Sequence, residues 1–376
     1  MRRVAHFLQN PNLLGSPPNE ALVAAYRSLG FEVDLFSTWP SGQAPCTEAG
    51  VRLMPAHYSW QWLLKNIARP SWGAYSLFSA TTEEPLAAAG LLARLWRKPL
   101  VTIADEIRNG SYAGNRGARW KALCQWGMRQ SAVTVVNEQE RVEIQRVYAG
   151  LPADAEVLVY PGCLRSPPAP GDRDSLRASR GIPADALVLC YSGMMSYDNG
   201  GLWMAEALRA QPALWAWGQI VNLDPLARGL LQRIKGNERL VLEQTRMGWQ
   251  EAWASMAAAD IGMVVYLQDA PQYRHMGIAS NRLCMFLAMG VPVVASRQPS
   301  FEFIERYDCG VLIDSQEQMG EAVERIASRL PSMRANALNC ARDYIRATER
   351  YETLKTAVSA QLQVTQARKR VVHDRD

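Results

Sequence analysis

The chain has 376 residues, of which 48% are hydrophobic and 20% are charged, a composition typical of a globular protein rather than a disordered or fibrous one. No segment approaches the roughly 18 uninterrupted apolar residues that a membrane-spanning helix needs, and the net charge of +5 suits an anionic small ligand or an acidic membrane surface better than a polynucleotide, so no nucleic-acid partner is predicted. Seven cysteines without a CxxC pair indicate neither a disulfide framework nor a zinc site.

Short β-branched segments alternate with helical patterns along the first half of the chain. The N-terminal RRVAHFLQ is typical of a first strand and not of a signal peptide, so we expect a cytoplasmic protein. A helix over NEALVAAYRSLG closes at Gly30, and further strands are predicted for EVDLFS, VRLMPA, AYSLFSA, PLVTIAD, AVTVVN and EVLVYP. This order predicts a parallel sheet with helices on both faces.

One helical pattern in this half, HYSWQWLLKNIARPSW at residues 57–72, combines three tryptophans with two cations. Trp60, Leu63, Leu64 and Ile67 would share one face of a helix. Tryptophan beside lysine and arginine is typical of an interfacial membrane anchor. Two interpretations stay open: a helix packed on the first sheet, and a segment that docks on a membrane surface.

The segment GCLRSPPAPGDRD at 162–174 is rich in proline and glycine and is the best linker in the chain. The strand pattern then restarts with LVLCYSG, WAWGQIVN, RLVLEQT, IGMVVYLQ, VPVVAS and GVLID. We therefore predict an α/β fold of two tandem doubly wound, Rossmann-like domains over 1–165 and 166–345, followed by a C-terminal helix and basic tail over 346–376. Because ligands of such sheets bind beyond the carboxyl ends of the strands, the two domains are expected to face a shared cleft.

The segment GIASNRLCMFLAMGVPVVAS, residues 277–296, places a polar turn directly before an apolar helix. A hydroxyl, an amide and a guanidinium at a helix N-terminus are the groups that bind phosphate, because the helix macrodipole adds favourable potential there. Ser280, Asn281 and Arg282 are therefore candidates for binding a phosphorylated ligand. The alternative is that Ser280 or Asn281 only caps the helix and Arg282 lies in solvent.

This segment resembles the corresponding one in the GT-B fold, group 1 (family 4) glycosyltransferases. There a Ser-Asn-Lys turn precedes a helix ending in A-x-G-x-P-V-V-A, then a loop with a glutamate and a G-x-L-x strand, and the chain reads SNRLCMFLAMGVPVVASRQPSFEFIERYDCGVLID. The resemblance implies two domains facing an interdomain cleft and a retaining, metal-independent enzyme without a cofactor. Its donor would be a nucleoside-diphosphate sugar, and its acceptor a hydroxyl of a glycan, polysaccharide or lipid-linked molecule.

The resemblance also assigns residues around the donor. Glu302 matches the loop glutamate of the family, and Gly193 would allow the backbone to approach phosphate closely. The arginine and lysine that the family carries after the first strand of the second domain are replaced here by Met194 and Asn199. The family's paired glutamates fall on Gly277 and Met285.

Other cations are candidates to replace the missing charge. Arg274 lies just before the polar turn, and Arg246 follows a strand. Both are therefore predicted to bind the donor, with a solvated arginine as the alternative for each.

On the acceptor side, Asp105, Glu106 and Arg108 follow a strand of the first domain. A carboxylate at this edge could orient or deprotonate an acceptor hydroxyl. The alternative is a polar loop that caps the next helix. Asn12 and Gly15 would form the facing loop under the acceptor.

Two further functions remain open at this stage. A non-catalytic GT-B partner subunit would account for the missing cations and glutamates. A GT-B nucleotide-sugar epimerase would rearrange the sugar without an acceptor. For the leading interpretation, a lipid-linked acceptor would place the protein on the inner face of the membrane as a peripheral protein.

Overall fold

A computed structural model describes residues 2–9, 16–38, 50–81, 84–104, 117–195, 199–223, 237–244, 247–269 and 271–373. Contacts divide the chain into two compact units, Met1–Arg165 with Thr348–Asp376, and Ser166–Ala347. Within the described ranges, none of the helices combines the length and the hydropathy needed to traverse a bilayer.

The first unit is built around a seven-stranded parallel sheet with the order β3-β2-β1-β4-β5-β6-β7. Strands β1 to β7 are Arg2–Leu8, Phe31–Ser37, Val51–Pro55, Tyr75–Thr81, Leu100–Ala104, Val133–Val136 and Val157–Val159. Helices α1 to α5 are Pro17–Ser28, Trp60–Asn66, Glu84–Leu95, Gly117–Arg129 and Glu140–Ala149. The strand order reverses between β1 and β4, which is the topological switch point of a doubly wound sheet.

The predicted helix over 57–72 is shorter than expected. The Ser59 hydroxyl accepts a hydrogen bond from the Trp62 backbone N–H at 3.1 Å and caps α2, while Pro70 begins a separate 3₁₀ turn, Pro70–Ala74, because proline interrupts a helix. The apolar residues of α2 are not buried together, since Leu63 lies in the core whereas Trp60 and Leu64 are exposed. One side of α2 thus packs on the sheet, while on the other side Leu64 is exposed and Trp60 packs against Trp120, with the ring centres 4.8 Å apart.

The second unit contains a six-stranded sheet with the order β10-β9-β8-β11-β12-β13. Strands β8 to β13 are Leu187–Met195, Leu214–Leu223, Leu240–Glu243, Ile261–Val264, Val293–Ser296 and Gly310–Ile313. Helices α6 to α13 are Arg173–Ala178, Gly201–Ala210, Trp249–Ser255, Pro271–Arg274, Asn281–Ala288, Glu302–Arg306, Met319–Ser328 and Leu330–Cys340. All strand pairs are parallel, and the order reverses between β8 and β11.

A long final helix, α14 (Ala347–His373), follows a π turn at Ala341–Ile345. The sequence predicts a separate helix and basic tail over 346–376, but Tyr351, Leu354 and Val358 are buried in the hydrophobic core of the first sheet. Helix α14 therefore completes the first unit. The two doubly wound parallel sheets confirm the predicted α/β fold class.

Candidate functional site

The carboxyl edge of the second sheet brings together side chains that lie far apart in sequence. Tyr191 and Gly193 lie near the end of β8, and Tyr266 follows β11, its neighbour in the sheet. Ser280 and Arg282 begin α10. These groups meet at the topological switch point, the place where doubly wound sheets bind their ligands.

Arg282 is the central charged group of this edge and is only 9% exposed. The carbon of its guanidinium lies 4.4 Å from the centre of the Tyr191 ring and 5.6 Å from that of Tyr266, as in a cation–π contact. Its Nη2 makes a long contact of 3.5 Å to the Tyr191 hydroxyl. Burial lowers the pKa of Arg282, but the electrostatic attraction of Tyr191 and Tyr266 outweighs it, so the pKa is raised and the group is charged.

The remaining guanidinium donors of Arg282 are unsatisfied. Its Nε and Nη1 are buried and have no hydrogen-bond partner within the described part of the chain. A buried donor without a partner costs about 1 to 3 kcal/mol, and more when the group is charged. An anion bound at this edge would remove that cost, so Arg282 is prepared to bind one.

Ser280 fixes the start of α10. Its hydroxyl oxygen accepts a hydrogen bond from the Leu283 backbone N–H at 3.1 Å and lies 2.8 Å from the Tyr266 hydroxyl. The Tyr266 backbone N–H in turn donates to the Ser296 hydroxyl at 3.1 Å. Ser280 therefore acts as the helix cap, while Asn281, the first helical residue, is half-buried.

Gly193 lies directly against the guanidinium. Its φ of +111° is in the left-handed region, and a Cβ atom at this position would lie 3.1 Å from Nη2 of Arg282. The absence of a side chain leaves room for the arginine. The structure thus brings together two residues that the sequence analysis proposed for the donor on separate grounds.

Asn199 is a further polar residue at this edge. In the sequence it is identified only as the residue that stands where the related family has a lysine. It is 5% exposed, and its Nδ2 donates to the Met194 carbonyl at 3.3 Å. Its Oδ1 is buried and has no hydrogen-bond partner among the residues that the structure describes. The next residue, Gly200, packs against the end of β11, since a Cβ atom there would lie 2.6 Å from Cβ of Val265. Asn199 therefore lies between the ends of β8 and β11.

Two other predicted donor residues lie on the surface. Arg274 is exposed and forms an ion pair with the exposed Asp269. Glu302 is the exposed first residue of α11. Neither position tests the assignment to the donor, which stays a prediction for both residues.

The remaining predicted site residues lie outside the described residues. Their roles therefore stay predictions. They are Asn12, Gly15, Asp105, Glu106, Arg108 and Arg246.

The first sheet has its own polar cluster at the switch point. Nδ1 of His6 on β1 lies 2.7 Å from the Ser79 hydroxyl on β4, and its Nε2 lies 3.1 Å from Oδ1 of Asn19. Nδ2 of Asn19 donates to the Ser16 hydroxyl at 2.8 Å. Burial lowers the pKa of His6 to about 4. The imidazole is therefore neutral near neutral pH and links the two central strands to the start of α1.

Among the residues that the structure describes, no group of three or more His, Cys, Asp or Glu side chains is placed to hold a metal ion. The candidate site is thus defined by Arg282, Gly193, Ser280, Asn199 and the two tyrosines.

Comparison with solved structures finds the same fold in several glycosyltransferases. Anabaena HepE in complex with UDP and glucose is 15% identical with a TM-score of 0.72, over 96% of this chain and 100% of that chain. Sucrose-phosphate synthase from Thermosynechococcus elongatus is 15% identical with a TM-score of 0.66, over 100% of both chains. WaaG, a glycosyltransferase involved in lipopolysaccharide biosynthesis, is 14% identical with a TM-score of 0.66, over 94% of this chain and 98% of that chain.

No protein-family model and no curated protein matches the sequence. At these identities the structural similarity establishes the fold. The GT-B fold that the sequence resemblance implied is confirmed.

Proposed function

We propose that this protein is a glycosyltransferase that binds a nucleoside-diphosphate sugar at the Arg282 site and transfers the sugar to an acceptor hydroxyl. The observation that carries the proposal is the buried guanidinium of Arg282, which has two unpartnered N–H donors at the start of a helix. The fold adds support, because HepE, which shares it, was crystallised with UDP-glucose.

The proposed chemistry follows from where charge develops. The bond between the anomeric carbon and the phosphate oxygen breaks, and negative charge grows on the leaving diphosphate. Arg282 and the N-terminus of α10 would stabilise that charge, and one well-placed donor is typically worth about 3 to 4 kcal/mol in the transition state. Because the guanidinium supplies positive charge, we propose a reaction without a metal, and with retention of the anomeric configuration.

On the acceptor side, the hydroxyl oxygen forms the new bond to the anomeric carbon and loses its proton. We propose that Asp105 or Glu106 orients the hydroxyl or accepts that proton, with Arg108 beside them. Asn12 and Gly15 would form the loop under the acceptor.

Incubation of the purified chain with radiolabelled nucleoside-diphosphate sugars, with and without acceptor glycans or glycolipids, tests this function. We expect labelled sugar on the acceptor and one nucleoside diphosphate released for each transfer. Free nucleotide and a rearranged sugar without acceptor would instead identify an epimerase. Lack of any turnover in the presence of bound donor would identify a partner subunit.

We propose further that the acceptor is lipid-linked and that the protein docks on the cytoplasmic face of a membrane. Trp60 and Leu64 on α2 are 45% and 74% exposed, and Leu95 at the end of α3 is 55% exposed. The two helix ends are neighbours, since the Trp96 indole N–H donates to the Ile67 carbonyl at 3.2 Å. Exposed apolar side chains of this size on neighbouring helices suit the interfacial region of a bilayer.

The charge around these side chains favours an anionic membrane. Lys65 and Arg69, on α2 and just after it, and Arg94 and Arg97, at the end of α3, are exposed, and residues 57–72 and 85–104 contain no carboxylate. Each basic residue near an anionic surface contributes about 1 kcal/mol of attraction. This cationic region therefore has the right sign for a bilayer that contains acidic lipids.

Co-sedimentation with vesicles of phosphatidylglycerol and phosphatidylcholine tests the docking. We expect the wild type to sediment with these vesicles and a Leu64→Ser variant to sediment much less, because Leu64 is exposed on α2, whereas Trp60 packs against the buried Trp120 and is therefore kept. Val147→Ser removes an apolar side chain that is 84% exposed on α5, and as the control it should bind like the wild type. Equal sedimentation of all three proteins would contradict membrane docking through α2.

A further inference from the structure

Asn199 differs from Arg282 in what it offers to a ligand. Its amide nitrogen faces the Met194 carbonyl at 3.3 Å, and the Tyr191 hydroxyl donates to the same carbonyl. The opposite orientation of the amide would place its oxygen against a carbonyl oxygen, so the nitrogen is fixed on this side. The unpartnered atom of Asn199 is therefore a hydrogen-bond acceptor, Oδ1.

An acceptor at this place selects the kind of ligand group that can bind. An ionised phosphate carries no hydrogen to donate and would be repelled by a carbonyl oxygen. A hydroxyl group donates one hydrogen bond and suits Oδ1. Asn199 therefore complements a neutral hydroxyl, whereas Arg282 complements an anion.

The two side chains lie close enough to contact neighbouring parts of one ligand. Asn199 donates to the carbonyl of Met194. Gly193, the residue directly before Met194, lies against Arg282, since a Cβ atom on Gly193 would be 3.1 Å from the guanidinium. In a nucleoside-diphosphate sugar, both the sugar and the ribose are bonded to the diphosphate and carry hydroxyls. The 2-hydroxyl of the sugar is on the second carbon from the phosphate oxygen, whereas the nearest ribose hydroxyl is on the third. A hydroxyl near the phosphate bound by Arg282 thus belongs most simply to the donor sugar.

We infer that Asn199 is a specificity residue whose Oδ1 accepts a hydrogen bond from a hydroxyl of the donor sugar. This inference rests on the proposed function, because it places the donor diphosphate at Arg282. It assigns to Asn199 the part of donor affinity that comes from the sugar, and to Arg282 the part that comes from the phosphates.

Titration calorimetry with UDP and UDP-glucose as first probes, followed by other nucleotides and their sugars, separates the two parts. Asn199→Ala should bind the nucleoside diphosphate within about twofold of the wild type, which also shows that the variant is folded. Its affinity for the nucleotide sugar should fall by about tenfold, the effect of one lost hydrogen bond that leaves a buried hydroxyl unpaired. Among donors that each lack one sugar hydroxyl, one should bind the wild type and the variant equally.

A second variant tests the same contact without removing the oxygen. Asn199→Asp keeps an acceptor but replaces the Nδ2 that donates to the Met194 carbonyl with a second oxygen and adds negative charge. Nucleotide affinity should therefore fall, while the sugar should still add more affinity than it does in Asn199→Ala. Equal losses of nucleotide and nucleotide sugar in Asn199→Ala, or no loss of either, would overturn the inference and leave the proposed function standing. Failure of the wild type to bind any nucleotide or nucleotide sugar would overturn the proposed function and this inference with it.

Discussion

Replacement of Gly193 by alanine should damage both stability and nucleotide binding. The backbone there has a φ of +111°, and a non-glycine residue in such a sparsely populated conformation costs about 1 to 3 kcal/mol. The new Cβ would also lie 3.1 Å from Nη2 of Arg282, so the guanidinium has to move away from it by a few tenths of an ångström. We expect the free energy of unfolding to fall by about 1 to 3 kcal/mol.

Gly181 offers a matched control in the same unit. Its φ is +66°, and a Cβ there would meet nothing within 4 Å, so Gly181→Ala adds left-handed strain of about 1 to 2 kcal/mol without touching Arg282. Urea titrations give the stability of both variants, and calorimetry gives their affinity for a nucleoside diphosphate. Only Gly193→Ala should bind the nucleotide more weakly, by several-fold. Wild-type affinity in Gly193→Ala, or an equal loss in Gly181→Ala, would refute the reasoning.

Two buried charge sites give further predictions. Asp260→Ala should lower the free energy of unfolding, measured by urea titration, by about 3 to 5 kcal/mol. The reason is that the Asp260 carboxylate pairs with Arg173, Arg334 and the fully buried Arg177. A loss below about 1 kcal/mol would show that the arginines find other partners. Burial alone raises the pKa of Asp260, but the hydrogen bond from Arg173 and the nearby charges outweigh it, so the pKa is lowered. The stability that the Asp260 ion pairs contribute is therefore present above about pH 4 and is lost as the pH falls through the pKa of Asp260 in the folded protein. Burial lowers the pKa of His6 from 6.5 to about 4, so between these values the imidazole is protonated in the unfolded chain but neutral in the folded protein. The free energy of unfolding should therefore fall by up to about 3 kcal/mol as the pH falls across that interval. Urea titrations of His6→Gln at pH 7 and pH 4.5 should show a smaller difference than those of the wild type, and an identical difference would contradict this assignment.

The sequence predicted those parts of the fold and site that depend on local pattern. β-branched segments alternating with helices gave the two parallel sheets, because strand and helix periods are set by neighbouring residues. The turn before α10 gave Ser280 as a cap and Arg282 at the helix start for the same reason, since both roles depend on position relative to the helix N-terminus.

Other features depend on neighbours that are distant in sequence. The role of Asn199 depends on the Met194 carbonyl, which fixes the orientation of its amide. Trp60 is exposed, whereas Trp72 is buried and its indole N–H donates to the Asn66 carbonyl at 2.6 Å. The two tryptophans nevertheless lie in one short segment of the sequence. Pattern alone indicates that such a segment is amphipathic, but not which apolar residues the rest of the protein covers.

The surface position of Arg274 has a similar cause. Its exposed ion pair joins Arg274, at the end of the short helix α9, to Asp269 in the preceding loop. The hydrophobic periodicity of the sequence does not predict a contact of this kind. An arginine near a phosphate-binding motif can therefore be either a ligand or a surface ion-pair partner, and the tertiary structure decides between them.

Binding of a nucleoside diphosphate to Arg282→Ala tests the central claim most directly. Loss of a charge-assisted contact to phosphate should weaken binding in calorimetry by about 1.5 to 3 kcal/mol, or about 10- to 150-fold. Arg282→Lys should retain part of the affinity, because the charge stays while the bidentate geometry is lost. As the control, Arg297→Ala removes a surface arginine that pairs with Glu305 and Asp314 and should bind like the wild type. Wild-type affinity in Arg282→Ala would contradict the assignment of the donor site.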